Sequence, residues 1–159
     1  YGAQGLQYFT YWTLDDDNWK KNKFAHAIVD SKGNPTVTYN LVKRTNEDIQ
    51  KYASVFLNSN VDSVYHTSFQ QPSETKKLVA VPQNFNYFSM SKPGLVSYLS
   101  NGLKKYVVVL NKDLQENANL VIEAKNGMKY LNKEGVEMSL STSRQTFSIP
   151  PGDILVFTN

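Results

Sequence analysis

Val96-Ser97-Tyr98-Leu99-Ser100-Asn101-Gly102-Leu103-Lys104-Lys105-Tyr106-Val107-Val108-Val109-Leu110 decides the fold class. Two runs of β-branched and aromatic residues flank an Asn-Gly pair, and that dipeptide supplies the positive-φ conformations a tight hairpin turn needs. Outward from this hairpin, the same texture of short β-prone runs continues, predicting strands at 62–67, 78–81, 95–100, 105–111, 119–124, 129–132, 136–141, 145–149 and 154–157. Turns are expected at Asn126-Gly127, Glu134-Gly135 and Pro151-Gly152-Asp153. Residues 82–93, bounded by Pro82 and Pro93, read as a loop. Many short strands with regular turn signals predict an antiparallel β-sandwich.

Upstream of residue 59 the period changes. Tyr39, Val42, Asn46, Ile49, Ala53 and Phe56 recur at three- and four-residue steps, which predicts an amphipathic helix with Asn34 as N-cap and Pro35 at its first position. Lys43, Glu47 and Lys51 lie four apart on its polar face. Before it, the aromatic run at 6–13 reads as a strand, and 14–34 as a long polar connection with a short apolar piece at 24–29. One strand and one helix cannot close a core. The division expected is therefore 1–58, a strand, loop and helix, and 59–159, the sandwich.

At 159 residues the chain is long enough for one domain and an appendage. Its 10 Tyr, 8 Phe and 2 Trp suit β-structure. A net charge of +3 is spread thinly over 17 basic and 14 acidic residues, which argues against nucleic acid as a partner. No apolar run approaches the roughly 20 residues of a membrane span, so no membrane is expected. With no Cys and 2 His, neither thiol chemistry nor a Cys or His metal site is expected, and no cofactor is implied. A start at Tyr1, without a leader pattern, suggests a processed or truncated beginning. Extracellular, periplasmic and cytoplasmic locations are all compatible with this composition.

Few residues suggest chemistry. Asp15, Asp16 and Asp17 form the one acidic cluster, open to reading as a calcium or hydrolase site or, more simply, as a solvated loop, since consecutive side chains rarely converge. His26 reads as a packed histidine, and His66 alternates with Tyr65 on a strand. Carbohydrate modules present exposed aromatics to the apolar faces of sugars, and Tyr65, Phe69, Phe85, Tyr87, Phe88 and Tyr98 could supply such rings or simply fill the core. The strongest platform in the sequence is Tyr87 and Phe88 with Asn84 and Asn86 beside them.

The run at 2–13, Gly-Ala-Gln-Gly-Leu-Gln-Tyr-Phe-Thr-Tyr-Trp-Thr, together with Asp30-Ser31-Lys32-Gly33-Asn34-Pro35-Thr36, resembles the end of a glycoside hydrolase (β/α)₈ barrel. More narrowly it is similar to the β-galactosidase-like enzymes of glycoside hydrolase family 42 and neighbours in the same clan. Residues 94–159, closing on the Pro-Gly-Asp-hydrophobic run at 151–157, resemble the C-terminal β-sandwich that follows such barrels. The resemblance implies that Trp12, at the end of the eighth barrel strand, stacks on the sugar in the parent barrel, with Asp15 and Asp16 in the adjacent loop. It also implies that the catalytic carboxylates sit on the fourth and seventh barrel strands. A barrel needs roughly 250 residues, so neither strand is here and no residue of this chain takes a catalytic role.

The expectation is thus a mainly β chain, an antiparallel sandwich preceded by one leftover strand-loop-helix unit. Its expected function is that of a non-catalytic C-terminal region of a glycoside hydrolase, with a self-standing carbohydrate-binding module as the alternative. An orphan strand with unpaired edges and a helix without its sheet also predict a homo-oligomer.

Overall fold

The computed structural model describes residues 27–30, 32–68 and 71–159. The strand expected at 6–13 lies outside them. The chain divides into two compact units with the boundary between Ser54 and Val55.

In the first unit, Asp30 organises a tight loop. Its Oδ1 accepts from the Lys32 and Asn34 backbone N–H groups, both at 2.8 Å, and its Oδ2 from Asn34 Nδ2 at 3.0 Å. Gly33, at φ +82°, makes the reversal, and Val29 and Pro35 then face each other across an isolated antiparallel bridge. Helix α1, Val37–Lys51, starts later than Asn34 and Pro35 would place it: Thr36 is the N-cap and accepts from the Thr38 N–H at 3.2 Å. Asn34 is committed to Asp30, and Pro35 is held extended in the bridge, so neither can serve the helix. A break at Tyr52 separates α1 from the short helix α2, Ala53–Phe56. No residue of α1 is fully buried. Val42 and Ile49 are half-buried, while Val37, Tyr39 and Leu41 are exposed, and the buried side chains flank it, Ala27 before and Tyr52 after. The ion pair on the polar face joins Lys51 to Asp48 at 3.4 Å.

The second unit is mainly β, as the sequence predicts, with nine strands among the described residues arranged in two antiparallel sheets. They are β1 (Asn60–His66), β2 (Phe85–Met90), β3 (Gly94–Asn101), β4 (Lys104–Asn111), β5 (Ala118–Ala124), β6 (Lys129–Leu131), β7 (Glu137–Ser139), β8 (Arg144–Ile149) and β9 (Ile154–Thr158). The large sheet has the order β1-β3-β4-β9-β6-β7, the small one β2-β5-β8. The β3–β4 hairpin forms where the Asn-Gly pair places it, with Asn101 opposite Lys104 and Gly102 at φ +60°.

Two expectations fail side by side. Residues 78–81 are not a strand: only Lys77 pairs, through one parallel bridge to His66, and Val79 is 88% exposed. Residues 82–93 are not a loop, because they contain β2. The strand was hidden by a bulge that shifts its register against β5 between Phe85 and Tyr87. Phe85, Phe88 and Met90 all join the core, a spacing of three and then two that no simple alternation shows.

Between the sheets lie Phe85, Val96, Val107, Val109, Leu120, Ile122, Ile149 and Phe157, all buried. Phe157 sits edge-on to Phe85 at 5.3 Å and to Phe147 at 6.1 Å between ring centres. The alternate residues of the large sheet, Leu99, Tyr106, Val108, Ile154 and Val156, are buried as well. A sheet buried on both faces explains why Tyr106 to Leu110 reads as a continuous apolar run without alternation.

Asn111, fully buried at the end of β4, joins three segments. Its Nδ2 donates to the carbonyl oxygens of Glu116 (2.9 Å), Ile149 (3.0 Å) and Pro150 (3.1 Å), and its Oδ1 accepts from the Asp113 N–H at 2.9 Å.

Candidate functional site

The chain between β1 and β2 crosses from the large sheet to the small one, and beside it opens a groove of about 610 Å³. Its size falls within the roughly 300 to 1,000 Å³ of small-molecule sites. One wall comes from β1 and β3. Here β1 carries a bulge between Val61 and Ser63, so Asp62 steps out of the ladder, and its Oδ1 accepts from Ser100 Oγ at 2.9 Å. Tyr65 and Tyr98 stand beside it with ring centres 6.0 Å apart and planes at 86°. Tyr98 packs against the core, a backbone hydrogen bond from Gln83 reaches its phenol, and burial raises its pKa above the ordinary tyrosine value. The segment from Lys77 to Asn84, bent at Ala80 and turning at Gln83 and Asn84, adds Leu78, Val79, Val81 and Pro82 to the lining. The same segment also borders a smaller hollow of about 330 Å³ towards Thr67 and Phe88.

Both bulges of the sandwich thus flank the groove, one at Asp62 and one just after Asn84. Asn84 lines it, with Nδ2 directed at Met128 Sδ (3.7 Å) and Oδ1 buried without a hydrogen-bond partner.

The platform expected on residues 84–88 does not assemble as one surface. Tyr87 points outward from the small sheet, where the Arg144 guanidinium covers its ring at 3.9 Å from the centroid. Arg144 also reaches Glu123 at 3.7 Å, so the three side chains form a row across β2, β5 and β8. Phe88 points the other way and packs into the core, with its ring 5.9 Å from that of Phe85. Asn86 is exposed in the bulge. Trp12, Asp15, Asp16, Asp17, His26 and Phe69 lie outside the described residues. Tyr65 and Tyr98 are brought together, and Gln83, expected beside Asn84 and Asn86 in the sugar-facing loop, lines the same groove, whereas Asp62 and the 77–82 segment were not singled out as site residues by sequence reasoning. Only the Asp62 bulge and the failed strand at 78–81 bring them to the same place, and neither leaves a compositional signal.

His66, at the end of β1, is buried beside Lys112, with Nδ1 3.2 Å from the lysine Nζ. Burial, and then the lysine charge, hold its pKa below the ordinary value of 6.5. The ring is therefore neutral at pH 7, with Nδ1 accepting from Lys112. Because the unfolded chain takes up the proton more readily, the His66 contribution to stability is complete above about pH 6.5 and is lost as the pH falls towards the folded value. Thermal melting is expected to drop more steeply from about pH 7 to about pH 5 in the intact chain than in His66→Gln. Parallel melting profiles for the two would contradict the assignment.

Among the described residues, no group of three or more His, Asp or Glu side chains is placed to hold a metal ion. No helix among them is long and apolar enough to cross a membrane. Compared with known proteins, the chain matches no family model, no curated protein and no solved structure.

Proposed function

We propose that this chain is the non-catalytic C-terminal region of a β-galactosidase-like glycoside hydrolase, its sandwich serving as an accessory domain. One observation carries the reading: among the described residues lining the groove, Asp62 supplies the single side-chain carboxylate. Glycoside hydrolysis uses two, flanking the bond on opposite sides. A groove with one carboxylate, already hydrogen-bonded to Ser100, lacks the acid and base pair that chemistry requires.

The local geometry of the Asp-x-x-Gly-x-Pro-Thr run supports the resemblance. Each named residue has a physical task there: Asp30 binds the loop amides, Gly33 turns the chain, Pro35 closes the bridge and Thr36 caps α1. Exposed Val37 and Leu41, four residues apart on one face of α1, fit a helix that packs against a barrel or, in the isolated chain, against a second copy.

The isolated chain is expected to show no turnover of chromogenic β-galactosides and to self-associate in light scattering. The reading frame upstream of the Tyr1 codon is expected to encode the remaining barrel strands with two carboxylates on the fourth and seventh. An initiation codon directly before Tyr1, or turnover abolished by Asp62→Asn, would overturn the reading.

A further inference from the structure

We infer that the groove between the Asp62 bulge and the 77–84 segment is a binding site for a neutral saccharide, with the tyrosine pair as its stacking surface. The inference deepens the accessory-domain reading and rests on it for the choice of sugars, but the site itself is argued from its own side chains.

A pyranose ring has an apolar C–H face and a rim of hydroxyls that both donate and accept. The groove has the matching pair of surfaces. Tyr65 and Tyr98, held perpendicular, leave an aromatic wall that is half-exposed. In the same lining, Val79, Ala80 and Val81 add exposed apolar side chains. Polar groups of mixed character complete the lining: the Asp62 carboxylate accepts, Lys105 donates, and the amides of Gln83 and Asn84 do both. Apolar walls with a few convergent polar groups are the usual make-up of a small-ligand site.

The same composition argues against a phosphorylated ligand. Among the described residues no arginine lines the groove, so they offer no fork to hold a phosphate in two bonds, and a carboxylate shares the wall with the lysines. It also argues against the outer face of the small sheet as the sugar platform, since Arg144 already occupies the face of Tyr87.

The test is isothermal titration of the full chain with β-1,4-galactotetraose, xylotetraose and cellotetraose, with inorganic phosphate as the anion control. At least one sugar is expected to bind, and phosphate is not. Tyr65→Ala is expected to weaken that binding by about tenfold, the scale of one aromatic contact, and Asp62→Asn by a smaller factor. Tyr65→Leu keeps an apolar side chain while removing the ring, so it separates lost stacking from lost folding. Tyr87→Ala is expected to leave affinity unchanged. Amide shifts on sugar addition should centre on Asp62, Val79 and Gln83. No binding of any of the three sugars, binding of phosphate alone, or binding that survives Tyr65→Leu but is lost in Tyr87→Ala would each overturn the site. None of these outcomes touches the upstream reading frame, which decides the accessory-domain reading separately.

Discussion

Phe157→Ala is expected to destabilise the sandwich by about 4 kcal/mol, the largest effect of any single truncation in this core. The ring is wholly buried on β9 and meets Phe85 from the small sheet on one side and Phe147 from β8 on another. Tyr130 extends the cluster by packing edge-on to Phe147 at 5.3 Å. Truncation removes the shared partner of these rings and leaves a cavity between two sheets that cannot close without bending strands already fixed by their ladders. Against a total stability of about 5 to 15 kcal/mol, the variant should melt far earlier or fail to fold. Phe157→Leu, which keeps most of the volume, should cost clearly less, about 1 to 2 kcal/mol. Urea unfolding followed by far-ultraviolet circular dichroism measures both, and equal midpoints for Phe157→Ala and the intact chain would refute the placement of the ring.

Asn111→Leu is expected to cost about 3 kcal/mol although it makes the core more apolar. The side chain is nearly isosteric, so little packing is lost. What is lost is the donor to the carbonyl oxygens of Glu116, Ile149 and Pro150 and the acceptor for the Asp113 N–H. Ile149 is itself buried, so water cannot take over at its carbonyl without opening the structure. Asn111 ties the β4–β5 connection to the Pro151-Gly152 turn that leads into β9, and the Asn111 N–H donates to the Asp153 carbonyl at 3.0 Å. The melting temperature should fall by roughly 10 °C. A shift under about 2 °C would mean that these carbonyls find other donors.

Most of the sandwich was legible because its signals are local. The Asn101-Gly102 hairpin and the alternation along β5 lie within single runs of chain, and each states its own conformation. Where the sequence misled, a tertiary feature overrode a local one. Leu78-Val79-Ala80-Val81 has the composition of a strand, but an edge strand needs a neighbour along its whole length, and His66 offers only one bridge. Phe85 to Met90 has a neighbour, β5, yet the bulge breaks the alternation that would have announced it. At the start of α1, Asn34 is the expected cap, and Thr36 takes the role instead. Asp30 decided between them by claiming Asn34 from four residues away.

The groove was the least legible part. Its walls come from residues 62–65, 77–84 and 98, and nothing in any one of them indicates that the others will arrive beside it. Tyr65 and Tyr98 could be named as aromatics able to meet a sugar, but whether they face a groove or the core depends on the register between β1 and β3. That register shifts at Asp62.

The position of β9 bears on how this domain is made. The last of the sandwich's described strands in chain order lies in the middle of the large sheet, between β4 and β6. Until Ile154 to Thr158 are available, β1, β3 and β4 form one half-sheet and β6 and β7 another, with no backbone hydrogen bonds joining them. The sandwich therefore cannot assemble in step with its synthesis. Its two half-sheets must wait, with their inner edges unpaired and open to neighbouring chains, until β9 has emerged.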